Sequence, residues 1–155
     1  MKKRTIWGVG PKIMFPAYSI LFVLSWIPLK ISIREIINIP GLYITSVSLL
    51  LICIGIAMLA TTTMEIKKAL EKNQLVTGGL FSRIRNPMYA AHIFFIMPGV
   101  CILTDKAITL LSILFTLIVF NLLISKEEKD LEENFGTEYL NYKERVGRLL
   151  PKFKN

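Results

Sequence analysis

"MYAAHIFFIMPGVCILTDKAITLLSILFTLIVFNLLIS" occupies residues 88–125. Two apolar runs, 88–104 and 107–125, flank Thr104-Asp105-Lys106, and neither run contains Asp, Glu, Lys or Arg. Each has the roughly 17–25 residues that cross a hydrocarbon core of about 30 Å as a helix. A connection this short permits only an antiparallel helical hairpin. Working outward, two earlier runs, about 13–29 and 42–60, have similar length and composition. The chain has 155 residues, 53% of them hydrophobic, and a mean hydropathy of +0.53. A soluble bundle with a large buried core is the competing reading. It fits poorly, because the four runs carry almost no charge on any face. Lys2, Lys3 and Arg4 precede the first run as they would in a signal peptide, but the run ends in Ile27-Pro28-Leu29-Lys30 with no small-x-small site. It therefore reads as an uncleaved first span. The expectation is an all-α polytopic membrane protein, one domain over 1–155, with about four transmembrane helices and a C-terminal amphipathic helix.

Net charge is +8, and its placement matters more than its size. Basic residues gather before the first run (Lys2, Lys3, Arg4, Lys12), between the second and third (Lys67, Lys68, Lys72, Arg83, Arg85), and after the fourth (Lys126, Lys129, Lys143, Arg145, Arg148, Lys152, Lys154). Only Lys30, Arg34 and Lys106 fall in the other two connections. Four crossings put sixteen of the 19 on one side, which the positive-inside rule makes the cytoplasm, together with both termini. Anionic lipid headgroups explain this pattern better than nucleic acid does. Cys53 and Cys101 lie in different runs, and His92 is the only histidine, so neither a disulfide framework nor a metal centre is expected. His92 reads as a polar packing residue.

Smaller signals organise the rest. Pro16, Pro28, Pro40 and Gly41 punctuate the first half, and 63–72 is good helix sequence that prolongs the second run, with Asn73 as its end. Thr77-Gly78-Gly79 reads as a tight turn, and Met97-Pro98-Gly99 as a kink. In the tail, Leu131, Phe135, Tyr139 and Tyr142 share one helical face, which on its own suits a helix lying on the membrane surface. Gly136 weakens that helix.

Polar groups converge where the third run begins and the fourth ends. The hairpin places Arg85 and Glu127 face to face near one membrane surface. Such groups are costly there unless paired or lining a cavity. Pro87 suits the first turn of a helix. Arg85 can fork onto a carboxylate, Asn86 both donates and accepts, Tyr89 can stack on a base, and Glu127 can hold an ammonium. A zwitterionic ligand with an aromatic base would suit this set. A structural Arg85–Glu127 ion pair and an interfacial tyrosine are equally compatible with it.

The two blocks "LVTGGLFSRIRNPMY" (residues 75–89) and "EEKDLEENFGTEYLNYKERVGRLLP" (127–151), separated by one apolar hairpin, resemble the integral-membrane methyltransferases. These comprise the isoprenylcysteine carboxyl methyltransferase and phospholipid N-methyltransferase group, and the resemblance covers roughly 70–155. It implies S-adenosylmethionine as methyl donor, held within 73–155 between the last two spans and the C-terminal helix. It implies that Asn73, Gln74, Leu75 and Val76 line the adenosine, with Phe81, Arg85, Asn86, Pro87, Met88, Tyr89 and Glu127 completing the cofactor site. Glu128 would stand beside Glu127. No catalytic side chain is assigned; Glu128 and Tyr89 are the candidates should a proton have to leave. The acceptor would be a lipophilic or amphiphilic small molecule from the bilayer, and the active site would face the cytoplasm from the cell (inner) membrane. Asn73 stands where the isoprenylcysteine branch has histidine, Asn86 where most members have histidine, and Leu123 where that branch places an arginine, which leaves the acceptor open. Two other readings share the architecture: a scaffold without activity, and a small relative of the membrane sterol reductases.

Overall fold

The computed structural model describes residues 9–152 except 30 and 39. Six helices run in order: α1 (Gly10–Trp26), α2 (Ile33–Ile37), α3 (Gly41–Glu71), α4 (Pro87–Thr104), α5 (Ala107–Phe135) and α6 (Thr137–Arg145). The described residues form no strand; Ile84 and Gly147 make an isolated parallel bridge.

Three helices, α3, α4 and α5, are long and apolar enough to cross a membrane. The first expected span, 13–29, falls on α1, which runs over 10–26, has 17 residues, about 26 Å at 1.5 Å per residue, and is not among the three long enough to cross. It ends where Pro28 forbids more helix: Ile27 is already extended, with ψ 131°. Ile13, Ala17 and Leu21 bury one face of α1, and Ile13 joins Tyr89, Ile93, Phe120 and Ile124 in a core shared by α1, α4 and α5. The outward surface is as apolar as the inside. Phe15, Phe22 and Trp26 on α1, Leu42, Leu50 and Ile56 on α3, and Leu114 and Leu122 on α5 are all exposed. Only 17% of the most apolar window of α3 is buried. A soluble bundle does not present such a surface to water, so the buried-core reading falls and an integral membrane protein fits.

Side-chain partners show that α4 and α5 are antiparallel. Thr104 meets Thr109, Cys101 meets Ser112, Met97 meets Thr116 and Arg85 meets Glu128, one number falling as the other climbs. Asp105 makes the reversal in a left-handed conformation (φ 54°). This turn also fastens the first half of the chain. Asp105 accepts from the Ser32 hydroxyl at 2.9 Å and from the Arg34 N–H at 3.0 Å. The Lys106 ammonium donates to the carbonyls of Ser25 and Ile27, capping the end of α1 as a cation should. Nothing in the sequence signalled this clasp.

The expected kink at Met97-Pro98-Gly99 is a widened turn instead. Residues His92–Ile96 form a π turn in which the Met97 N–H bonds the His92 carbonyl. Pro98 has no N–H and crowds the carbonyl four residues back; one wide turn upstream absorbs that without breaking the helix. Buried hydroxyls in the spans bond their own helix backbone, as Ser48 does to Ile44 and Thr116 to Ser112.

α3 and α4 approach closely through glycines. A Cβ at Gly99 would lie 2.6 Å from Ile52 Cγ1 and 2.9 Å from the Ser48 carbonyl, whereas one at Gly78 would meet nothing within 4 Å. Overpacking of this kind costs about 1–3 kcal/mol. Gly99→Ala is expected to lower the thermal midpoint in detergent and Gly78→Ala to leave it unchanged, as followed by tryptophan fluorescence.

Candidate functional site

At the end of the bundle opposite Asp105, α3 runs past its apolar part to Glu71. Asn73 ends it in a left-handed conformation (φ 51°), a state asparagine tolerates, and the Gln74 N–H closes back on the Ala69 carbonyl at 2.9 Å. Residues 74–77 then run without helix into a 3-10 turn, Gly79–Ser82. Gly79 has φ +53°, and a Cβ there would collide with the Glu65 carboxylate. The chain next pairs with its own C-terminus: Arg85 N–H bonds the Gly147 carbonyl at 2.7 Å, and the backbone and side-chain N–H groups of Asn86 both bond the Arg148 carbonyl at 3.1 Å. Pro87 opens α4.

The ion pairing differs from the expected Arg85–Glu127 contact. Arg85 Nη2 lies 2.8 Å from Glu128 Oε1, while Nη1 donates to the carbonyls of Lys143 (2.9 Å) and Val146 (2.6 Å). Arg148 grips the same carboxylate bidentately, at 3.0 and 2.6 Å. Glu128 is 5% exposed, and both its oxygens are engaged by guanidiniums. Its hydrogen bonds hold Arg148 above the usual arginine range. Glu127, one residue earlier and so about 100° round the helix, turns elsewhere. Its Oε2 accepts from Tyr89 Oη at 3.0 Å and from the Val9 N–H at 3.4 Å.

Two adjoining cavities share Ile66, Phe81, Arg85, Asn86 and Glu127 as a common wall. The first, about 360 Å³, is closed by Gln74, Leu75 and Val76, by Asp130, Leu131, Asn134 and Phe135 of α5, and by Tyr139 and Tyr142 of α6. The second, about 350 Å³, lies among Gly10, Pro11 and Met14 of α1 and Pro87, Met88, Tyr89 and His92 of α4. Of the residues named from the sequence as cofactor contacts or proton acceptors, all but Asn73 line one cavity or the other; Asn73 stands at the end of α3. Sequence reasoning missed the outer wall. Leu131, Phe135 and Tyr139 were legible as a stripe, but the stripe packs on protein rather than on the membrane surface, and its first two members belong to α5. Gly136 (φ 51°) bends the chain between α5 and α6. Tyr139 and Tyr142 are buried with Val146; burial pushes the Tyr139 phenol up to about 12 and raises that of Tyr142 as well. Tyr142 Oη donates to the Phe81 carbonyl at 2.7 Å, tying α6 to the 3-10 turn. The contribution of α1 to the second cavity had no sequence signal.

The phospholipid methyltransferase family model matches residues 37–138, well over half of the chain, and the chain belongs to that family. No curated protein and no solved structure matches it. The match falls on the phospholipid side of the resemblance. It includes the Arg85–Tyr89 and Glu127–Glu128 positions and stops short of Tyr139, Tyr142 and Arg148.

Removing one partner of a buried ion pair leaves an uncompensated charge and costs about 3–5 kcal/mol. Arg85→Met is expected to destabilise the protein by an amount of that order. Lys129→Ala, which breaks an exposed pair with Glu133, should change stability by less than about 0.5 kcal/mol. Urea or thermal unfolding in detergent, read on both variants, checks the contrast.

Proposed function

We propose that this member of the phospholipid methyltransferase family transfers the methyl group of S-adenosylmethionine to an amphiphilic amine drawn from the bilayer. The observation that carries the reading is the pair of cavities with one common wall, because methyl transfer needs donor and acceptor side by side. The first cavity, at about 360 Å³, falls in the range of about 300–1,000 Å³ usual for cofactor sites. Its donor set fits the cofactor: Phe81 and Tyr139 offer aromatic faces for a base, and Glu127 and Asp130 offer carboxylates for cationic groups. Arg85 Nε is buried without a partner, an unmet donor of the kind a ligand oxygen satisfies.

When bound, the cofactor supplies an activated methyl on a sulfonium, so the protein has to align and exclude water rather than provide a nucleophile. Gln74, Leu75 and Val76 with Phe81 and Tyr139 would hold the nucleoside. Glu127, which faces both cavities, would hold positive charge at their boundary, with the Tyr89 hydroxyl and Val9 N–H fixing its carboxylate. Pro87, Met88 and Tyr89, also named as cofactor contacts, line the second cavity and so would sit between cofactor and acceptor. The charge of the second cavity favours an amine. Its carboxylate is Glu127, while both terminal nitrogens of its one arginine, Arg85, already hold protein oxygens. Leu123, at the position where the isoprenylcysteine branch has arginine, likewise argues against a carboxylate acceptor. A small membrane reductase relative would instead have to place a nicotinamide in the first cavity.

Were α1 a fourth crossing, the concentration of Lys and Arg on the side of the site would favour a cytoplasmic site and cytoplasmic termini in the cell (inner) membrane. A lipid acceptor would then enter sideways, between α1 and α4.

A charge-assisted hydrogen bond contributes about 1.5–3 kcal/mol. Glu127→Ala should therefore weaken S-adenosylmethionine binding about tenfold or more, measured by calorimetry on the purified protein, while the wild type transfers labelled methyl to phosphatidylethanolamine vesicles. Unchanged binding in Glu127→Ala would reject the site.

A further inference from the structure

Resting on that reading, we infer that His92, oriented by Tyr18, is the group that receives the proton of the acceptor amine in the second cavity.

His92 is the only histidine of the chain, and it is among the residues that line the second cavity. It lies inside a membrane-spanning helix, where an ionisable side chain is costly and marks a functional position. Its Nδ1 is 2.7 Å from Tyr18 Oη on α1, and the two rings meet edge to face at 5.6 Å. Nε2 makes no hydrogen bond to any described residue. When Nδ1–H donates to Tyr18, the lone pair of Nε2 is left for the cavity. The backbone is irregular at the same place: the π turn begins at His92, and such turns gather at functional sites. A histidine serving only as packing would have no need of a cavity beside it. Among the described residues, the other ionisable groups lining this cavity are Tyr89 on α4 itself, Glu127 on α5 and Arg85 at the mouth of α4; α3 contributes Ile66 to its wall. Arg85 is paired with Glu128, and Glu127 accepts from Tyr89, which leaves Nε2 of His92 as the basic nitrogen there without a partner among the described residues.

The step balances simply. A lipid amine enters as its ammonium, and Nε2 takes one proton, giving imidazolium and free amine. The nitrogen lone pair then forms the N–C bond as the S–C bond breaks, its electron pair returning to sulfur. The product is a methylammonium, and the imidazolium returns its proton to water before the next turnover. Tyr18 is a positioning residue, since it touches only the ring.

The test uses the full-length, untagged protein in vesicles of phosphatidylethanolamine and phosphatidylcholine. General-base removal typically costs 10²–10⁴-fold, so His92→Gln should slow methyl transfer about 100-fold or more while cofactor affinity stays within about twofold. Its rate should climb with pH without levelling, whereas the wild-type rate levels off. Tyr18→Phe should shift that profile and leave cofactor binding intact. Because the histidine is unique, ¹⁵N-histidine labelling gives one pair of ring signals. Dodecylamine added without cofactor should move the Nε2 signal more than the Nδ1 signal. His92→Gln with the wild-type rate and pH profile overturns the proposal, and so does an Nε2 signal indifferent to the amine. Should His92→Gln not fold, the titration of the wild type decides alone. A wild-type protein that binds no S-adenosylmethionine defeats the parent reading instead, and the amine titration still reads out separately.

Discussion

A carboxylate held between two guanidiniums organises this protein. Glu128 sits at the end of the apolar part of α5, nearly out of contact with solvent, with Arg85 on one side and Arg148 on the other. Burying a charge costs several kcal/mol, and pairing offsets that only when the geometry is good and every oxygen is satisfied. Both oxygens are satisfied here, one of them twice. The three residues come from the mouth of α4, from α5 and from the segment after α6, so the pairing fixes where the chain's last helix lies. The Ile84–Gly147 bridge and the Asn86–Arg148 bonds repeat the same attachment through the backbone.

Once α6 is held there, the cavities follow. α6 closes the first against the end of α3, and Tyr142 fastens it to the Phe81 turn. The second lies on the other face of the Arg85–Asn86 segment, against α1. Two adjacent carboxylates on one helix thereby divide their work by angle alone. Glu128 points into the ion-pair lattice, and Glu127, about 100° away, faces the space between the cavities. The opposite end of the bundle is built independently, by Asp105 and Lys106 gripping the end of α1 and the connection that follows it.

Three of the spans, the hairpin and the helical run past 60 were legible because each rests on local composition: uncharged runs of the right length, a three-residue reversal, an asparagine at a helix end. The meeting of residues 73–89 with Glu127–Glu128 was legible through the hairpin, which fixes which ends are neighbours. The partner of Arg85 was not, because Glu127 and Glu128 are adjacent in sequence and only the rotation of α5 chooses between them. The stripe Leu131–Phe135–Tyr139 was visible but ambiguous, since an apolar face reads the same whether it meets lipid or protein. Asn73 was legible as the end of α3, a place its left-handed tolerance suits. The clasp at Asp105, the shortness of α1 and its share in the second cavity depend on long-range contacts that leave no periodic trace.

The central claim is that the space enclosed by α3, α5 and α6 receives the methyl donor. Ultraviolet crosslinking of methyl-labelled S-adenosylmethionine to the purified protein, followed by peptide mapping, tests it most directly. Label on the peptides carrying Phe81 and Tyr139–Tyr142, lost with excess S-adenosylhomocysteine, is the result this account predicts. Competable label confined to the Asp105 end of the bundle would contradict it.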